Sequence, residues 1–404
     1  IDMPVKGMDL LSQDTAMPAG YARSIINTNI HRDGTFKRRA GRMLAVAGSD
    51  FHSIATTPHG VLVGKGRGLY RIDGDPQNPI PLCSLEVIAP IDFTSHNGNT
   101  YITNGHGVWW IPQDEQTPRP CGVPSISTLP DIEPSATGSL AAGDYTVAIS
   151  VVDDRGEESA AVFVGNITLS DPGGIRLRNL PVSLDEQRRV YITQPGGSEL
   201  YLSEQFAGAF SEYLITRQGD GAIRHTQHLK PIPAGEFIRA RNGRLYTAEG
   251  DTLWFSQAMR PHLCDPRHDH IKFTGDIRFI EPITAGLLVA DKRGVWLLEG
   301  DDPVTARMRS VSQARVIHGS SLKMPATAAV RGSTVVGVVI WLTEHGYMVA
   351  SDFGETESLN SAQIRINSDL RGRTVLIEDD GAAMILTLAA AGQIFSDLVA
   401  TTRH

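Results

Sequence analysis

The stretch Asn97-Gly98-Asn99-Thr100-Tyr101-Ile102-Thr103-Asn104-Gly105-His106-Gly107-Val108-Trp109-Trp110-Ile111 sets out a unit that the chain repeats. A polar-Gly turn leads into a short apolar strand. A second turn, carrying Gly, Asp or Lys, leads into another strand with Trp or Tyr near its start. Further copies lie at 58–63 with 68–72, 241–247 with 252–255, and 285–289 with 294–298, and a weaker one at 338–342 with 346–349. Strands this short bury an apolar face only by stacking on copies of themselves. Radial stacking also disposes of open sheet edges, so the repeat predicts a β-propeller.

A length of 404 residues suits a propeller plus one further module. With 40 Gly, 23 Pro and 20% charged residues, the composition is that of a turn-rich, all-β globular protein. The formal net charge of −8 argues against a non-specific grip on nucleic acid through basic patches, while leaving room for a wall past which DNA slides. Cys83, Cys121 and Cys264 are odd in number and far apart, so they form neither a disulfide framework nor a CxxC metal pair. They are expected as reduced packing residues of a protein folded in the cytoplasm. Residues 1–7 lack a basic segment followed by an apolar run, and the apolar runs near 333–342 and 382–391 are interrupted and short for a bilayer. A soluble chain without membrane insertion is the expectation.

In chain order, residues 1–123 are expected to hold an N-terminal strap and the first blades. A hairpin runs through 24–30, turns at Asp33-Gly34, which favours a type I′ turn, and returns through 35–39. The cluster Lys37, Arg38, Arg39 and Arg42 is best placed as a strand edge protected by charge, rather than as a contact with an acidic partner or DNA. Blade units follow at 51–87 and 88–123. Residues 124–212 break the pattern with short alternating strands at sandwich spacing, among them 142–152, 161–164, 175–180, 189–193 and 200–202. The segment from Ala142 through Asp153 and Gly156 to Ser159 resembles the first hairpin of fibronectin type III or immunoglobulin-like modules. Residues 213–404 resume the blades, with units at 232–274, 276–311, 322–360 and 363–398. The expected fold is therefore an all-β propeller of about six blades interrupted by a fibronectin III/immunoglobulin-like β-sandwich. The N-terminal hairpin stands ready to complete the last blade and close the ring.

No specific catalytic signature occurs: there is no Gly-rich Lys loop of the Walker type, no HExxH and no GxSxG. Gly64-Lys65-Gly66-Arg67-Gly68 sits between two strands and reads as a hairpin turn. The densest set of potential ligands is His262 with Cys264, Asp265, His268, Asp269 and His270, of which His268 and His270 would share one strand face. Asp265-Pro266 forms a turn, however, and no second cluster supports it, so no metal is expected. His52, His59, His96, His106 and His318 lie near turns, where a solvated or capped imidazole is the default. The acidic runs at 153–158, 301–302 and 378–380 lack EF-type spacing. Trp109, Trp110, Trp254, Trp296 and Trp341 recur at related points and read as core filling, with a sugar-binding platform as the sharper alternative. No catalytic, cofactor-binding or metal-binding residue and no cofactor is assigned, and the chain is expected not to be an enzyme.

Two passages carry a wider resemblance. Lys6-Gly7-Met8-Asp9, Met17-Pro18-Ala19-Gly20-Tyr21-Ala22-Arg23, Asn27, Asp33-Gly34 and Arg38-Arg39-Ala40-Gly41-Arg42 resemble the start of a recurring kind of tailed-phage virion protein. Met17 stands where those proteins have leucine, and Ala40 intervenes before Gly41. Leu253-Trp254-Phe255-Ser256-Gln257 through Pro261 to Asp265-Pro266, followed by the unit at 286–300, is similar to a second passage of the same proteins. The resemblance implies the tail nozzle of a short-tailed phage, a β-propeller subunit assembled as a homohexameric ring in the virion below the head-to-tail adaptor. It further implies DNA passing through the ring during ejection without specific binding, and fibres or a tail tip attached nearby. A carbohydrate-binding or carbohydrate-cleaving propeller is the alternative.

Overall fold

The computed structural model describes residues 8–26, 28–30, 35–38, 48, 50–219, 221, 226, 228–324, 339–359, 364–379 and 382–391. After a single 3-10 turn at Asp14–Ala16, β1 (Thr28–Ile30) and β2 (Phe36–Arg38) pair as a hairpin. The Asp33-Gly34 turn, Arg39 and Arg42 lie outside the described residues. Blade 1 is the antiparallel meander β3 (Phe51–Thr57), β4 (Gly60–Lys65), β5 (Gly68–Ile72) and β6 (Ile80–Ser84). Blade 2 is β7 (Asp92–His96), β8 (Asn99–Thr103), β9 (Val108–Ile111) and β10 (Arg119–Pro120).

A sandwich follows, with β11 (Asp131–Leu140), β12 (Gly143–Val152), β13 (Val162–Leu169), β14 (Gly173–Arg178), β15 (Gln187–Thr193), β16 (Leu200–Ala207) and β17 (Tyr213–Ile215). The sheet β11-β14-β17 faces the sheet β13-β12-β15-β16 across a core that includes Val147, Ile149, Ile175, Leu177, Val190 and Ile192. Burying side chains of this kind contributes about 1.5–3 kcal/mol each. The 142–159 segment opens the module's first hairpin, β12 with β13, since β11 lies in the other sheet and pairs with β14. It supplies β12, the second strand, and the turn toward β13, and the first strand is β11. Pro134, Gly138 and a mostly exposed, polar face hid β11 from periodicity.

The chain returns through β18 (Lys230–Pro231) to blade 3, made of β19 (Phe237–Arg241), β20 (Arg244–Glu249), β21 (Thr252–Phe255) and, after β22 (Leu263–Cys264) has paired with β18, β23 (His270–Lys272). Blade 4 is β24 (Phe279–Ile283), β25 (Gly286–Asp291), β26 (Gly294–Glu299) and β27 (Arg307–Ser312). Blade 5 is β28 (Leu322–Lys323), β29 (Val339–Thr343), β30 (Gly346–Ala350) and β31 (Thr356–Ser358). The long hairpin β32 (Arg371–Asp379) and β33 (Ala382–Ala390) comes last. The protein is thus an all-β propeller interrupted by a β-sandwich. Among the described residues, β1-β2 and β32-β33 remain two separate two-stranded sheets.

The repeated unit of the sequence is strands 2 and 3 of each blade with the turns before them. Asn97-Gly98 and Asn242-Gly243 close two-residue hairpins with positive φ at both positions, 49° and 78° in one and 50° and 71° in the other, as a type I′ turn requires. The Gly-x-aromatic spacing at the start of strand 3 has a steric basis. The ring of Tyr70 lies over Gly68 and that of Trp109 over Gly107, so that a Cβ on either glycine would fall 2.5 Å from the ring.

Each seam between consecutive blades has its own apolar filling. Leu62, Leu69 and Ile102 join blades 1 and 2; Tyr101, Trp110, Ile238 and Leu245 join 2 and 3. Phe237, Tyr246, Ile280 and Val289 join 3 and 4, and Phe279, Leu288, Trp341 and Ala350 join 4 and 5. Ile340, Val349 and Ile385 join blade 5 to the terminal hairpin. Among the described residues no helix is long and apolar enough to cross a membrane.

Candidate functional site

Three places gather polar chemistry: one rim of the propeller, its axis, and the seam with the sandwich. At the rim, the turn between strands 1 and 2 of a blade grips the turn between strands 3 and 4 of the next. His59 of blade 1 reaches blade 2 with both ring nitrogens, Nδ1 at 2.8 Å from Thr100 Oγ1 and Nε2 at 2.8 Å from Pro112 O. A carbonyl only accepts, so Nε2 carries the proton and Nδ1 accepts from the Thr100 hydroxyl. In blade 3, Arg241 donates to Gly300 O at 2.9 Å, Thr284 O at 3.1 Å and Asp301 Oδ1 at 3.0 Å of blade 4. Asn242 Nδ2 also donates to Asp301 Oδ1, at 2.9 Å. In blade 4, Thr284 N donates to Asp352 Oδ1 at 3.1 Å and Ala285 N to Asp352 O at 2.9 Å. His59 is therefore not a solvated turn residue; it is buried and holds two blades together.

The inner strands end at this rim around an open cavity of about 610 Å³, to which His96, Arg241, Asn242, Asp301, Lys323 and Asp352 contribute. Lys323 Nζ donates to Pro282 O at 2.9 Å. Arg241, Asn242, Asp301 and Asp352 are the clasp residues just described, so most of the charge at the mouth already serves contacts between blades.

Below the mouth the inner strands of consecutive blades are tied together by charge. Arg239 on β19 donates to Asp92 Oδ2 of β7 at 2.6 Å and bidentately to Glu281 of β24, at 3.1 and 2.8 Å. Ser321 Oγ donates to Glu281 Oε1 at 2.9 Å. Burial works against the charged guanidinium, but the carboxylates of Asp92 and Glu281 outweigh it and raise the Arg239 pKa further. Nearer the opposite rim, Glu236 of blade 3 meets Arg371 of the terminal hairpin and His318 Nε2, the latter at 3.2 Å. Burial raises the Glu236 carboxyl, and His318 and Arg371 more than reverse it, leaving its pKa below the ordinary value. Arg239 thus ties the inner strands of blades 2, 3 and 4, and Glu236 links blade 3 to the terminal hairpin.

At the sandwich seam, the turn after β12 lies on blade 2. Arg155 pairs with Asp114 at 2.5 Å and Glu115 at 3.0 Å, and its guanidinium stands 5.5 Å from the Trp110 ring centroid. Arg119 pairs with Asp154 at 3.0 Å and Glu115 at 3.2 Å. Deeper in, Glu157 Oε1 lies 3.5 Å from Nδ1 of His262, in the strand 3 to strand 4 connection of blade 3. Burial first, then Asp153, pushes the Glu157 carboxyl up to about 7. Burial holds the His262 imidazole down at about 4. The acidic run at 153–158 is thus a docking element: Glu158 itself accepts from Ser150, Arg189 and Tyr191 within the sandwich.

The ligand-rich stretch at 262–270 is held by other bonds. Asp265 is taken by Arg267, whose side chain donates at 3.0 and 2.8 Å, and Asp269 accepts from Asp265 N and Gln257. His268 precedes β23, and His270, on it, packs its ring 5.1 Å from that of Trp254. Among the described residues no group of three or more His, Cys, Asp or Glu side chains is arranged to hold a metal ion. The three cysteines are free; burial raises the Cys121 thiol and, with Asp269 and Asp265, takes that of Cys264 to about 12, which suppresses the reactive thiolate. All five tryptophans pack into the seams and none is exposed. The acidic run at 378–380 falls on side chains outside the described set.

No family model and no curated protein matches the sequence. Solved structures similar to the chain include the WD40 domain of SCAP from fission yeast, at 11% identity over 85% of this chain and 87% of that one, with a TM-score of 0.28. Hsv2 of Kluyveromyces lactis is 10% identical over 84% and 98%, with a TM-score of 0.22, and Sqt1 of Saccharomyces cerevisiae 9% identical over 76% and 95%, with a TM-score of 0.19. With TM-scores this low, none of them bears on function.

Proposed function

We propose that this chain is a non-enzymatic structural protein of a short-tailed phage virion, a tail-nozzle subunit that forms a ring, of six copies by resemblance, below the head-to-tail adaptor. DNA passes through the channel of the assembled ring, and fibres or a tail tip attach to it. The carrying observation is that the polar side chains of the axis and the mouth are spent on contacts within the propeller: Arg239 ties blades 2, 3 and 4, Glu236 meets Arg371, and Arg241 meets Asp301. Side chains engaged in this way hold the propeller together and leave its outer surface for contacts with other subunits, as a ring-forming part requires. The net charge of −8 fits a wall that does not retain phosphates. Electron microscopy of the purified protein and of intact particles tests the reading. Rings and a location in the tail are expected; monomers alone, with no place in a tail, overturn it.

The cavity at the axial mouth favours a second reading, carbohydrate binding. No tryptophan lines it, so the side chains that test it are Lys323 and Asn242. Glycan-array binding abolished by Lys323→Ala and Asn242→Ala would support this reading against the first.

A further inference from the structure

We propose that two unlike patches of this chain bind each other between copies: an apolar and acidic pair of sandwich loops docks on the arginine-lined outer strand of blade 4 of a second copy. The inference deepens the ring reading, and rests on it only for the closure of the resulting series into a ring.

Charge is divided along the chain as such a contact requires. Residues 124–212 hold 13 acidic and 5 basic side chains, so the whole net charge of −8 lies on the sandwich and the remainder of the chain is neutral. On the outer strands of blades 2 and 3 the cations are spent: Arg119 of β10 pairs with Asp154 and Glu115, and Lys272 of β23 with Asp251 at 3.5 Å. β27, the outer strand of blade 4, differs. Arg307 and Arg309 on it, Arg293 in the turn that abuts its end, and Arg315 just beyond it are exposed, and none has an ion-pair partner among the described residues. Charge by itself protects such an edge. Met308, 43% exposed between the two strand arginines, and Val304, 66% exposed in the connection leading into the strand, add nothing to that protection. They give the strip the apolar centre and arginine rim of an interface.

The sandwich carries the complement. Backbone bonds from Ser183 N to Gly208 O at 2.9 Å, Gly208 N to Glu186 O at 2.8 Å and Leu180 N to Ser211 O at 2.9 Å fasten the loop 179–186 to the loop 208–212. The pair lies at the sandwich end that meets the propeller, since Gln187 pairs with Val152, the last residue of β12. On this fixed base Val182, Leu184 and Phe210 are each more than half exposed, Leu184 at 84%. Asp185 stands beside them, exposed and without a partner among the described residues. Glu186 and Glu212, at the margin, already meet Arg188 and Arg178. Loops fastened before binding lose little freedom on docking. A phosphate backbone would satisfy the arginines of β27 but offers nothing to Met308 and Val304, whereas these loops bring apolar side chains and a free carboxylate together.

Both patches are exposed in one subunit, so neither covers the other. Because they differ, their pairing is head-to-tail: a series of copies always keeps one free patch of each kind, and it closes as a ring or runs on. A two-fold dimer, in which a patch meets its own copy, is not what they build.

Sedimentation of the full chain at rising concentration tests the contact with two double variants, Arg307→Glu with Arg309→Glu, and Leu184→Ser with Asp185→Ser. Each is expected to weaken self-association about tenfold or more at an unchanged melting temperature. Should the glutamate variant melt lower, Arg307→Gln with Arg309→Gln carries the same expectation. Mixed in equal amounts, the first variant still has its sandwich loops and the second its arginine strand, so the mixture is expected to form a complex of one copy of each and to stop there. A wild-type chain that stays monomeric, variants that associate like wild type, or a mixture that stays monomeric overturns the proposal. Intact self-association in the glutamate variant with loss of binding to a DNA duplex also overturns it and assigns the strip to nucleic acid. Rings that persist in both variants sink this contact and leave the ring reading standing; the contact found in a protein with no place in a tail does the reverse.

Discussion

Glu157 Oε1 and His262 Nδ1 face each other at 3.5 Å across the boundary between sandwich and propeller, and their pKa values are displaced in opposite directions. In the folded protein, with Glu157 at about 7 and His262 at about 4, the pair's single proton at pH 5–6 sits on the carboxyl. In the unfolded chain, at the ordinary 4.5 and 6.5, it sits on the imidazole. Asp153, Arg155, Arg119 and Arg260 surround the pair, with the Tyr101 hydroxyl and the Cys121 thiol also feeling the Glu157 charge.

Both states therefore bind one proton between these limits, and the pair adds almost no pH dependence to stability from pH 4.5 to 6.5. Single variants uncover the two halves. Glu157→Gln leaves only the depressed His262, whose contribution is present above pH 6.5 and lost as pH falls toward 4. His262→Gln leaves only the raised Glu157, whose contribution is present below pH 4.5 and lost as pH rises through 7. Melting temperature against pH checks both; parallel curves for wild type and the two variants would refute the opposed displacement of the two groups.

Arg239 is half-buried between the buried carboxylates of Asp92 and Glu281, so Arg239→Ala strands both of them. A loss of about 3–5 kcal/mol is expected by urea denaturation. Arg239→Met combined with Asp92→Asn and Glu281→Gln is expected to recover most of it. The amide oxygen that Asp92→Asn leaves in place still offers Ile238 N an acceptor, where Asp92 Oδ2 now takes that bond at 2.9 Å. A triple variant as unstable as Arg239→Ala would show that the charges themselves organise the axis.

His59→Ala breaks the grip of blade 1 on blade 2 and leaves Pro112 O without its donor. The expected cost is about 1–3 kcal/mol. Hydrogen exchange should locate it: β3–β6 amides speed up, while those of blade 4 do not. Uniform acceleration across all blades would mean that the ring opens only as a whole.

The blades were legible because their signal is local. Asn-Gly turns, Gly-x-aromatic starts and short apolar runs each act within a few residues, and Asn97-Gly98 folds as its sequence dictates. What holds the blades to one another was not legible. His59 to Thr100, Arg239 to Asp92 and Glu157 to His262 join residues far apart in the chain, and each partner alone looks like an ordinary turn or strand residue. β11 escaped for a different reason: an exposed strand containing Pro134 and Gly138 carries no alternation to detect. The tryptophans read correctly as core filling: Trp109, Trp254 and Trp296 recur on the third strand of blades 2, 3 and 4, Trp341 stands on the second strand of blade 5, and each packs into a seam.

The sandwich is spliced between blades 2 and 3 by two chain crossings, leaving after Pro120 and returning at Lys230. A module hung on one strand swivels; one held at both ends, with Arg155 clamped on Trp110, behaves as a lever whose fulcrum is a single joint of the ring. Any load on it is delivered to Tyr101, Trp110 and Leu245, the side chains wedged in that joint, and through them to the blades on either side.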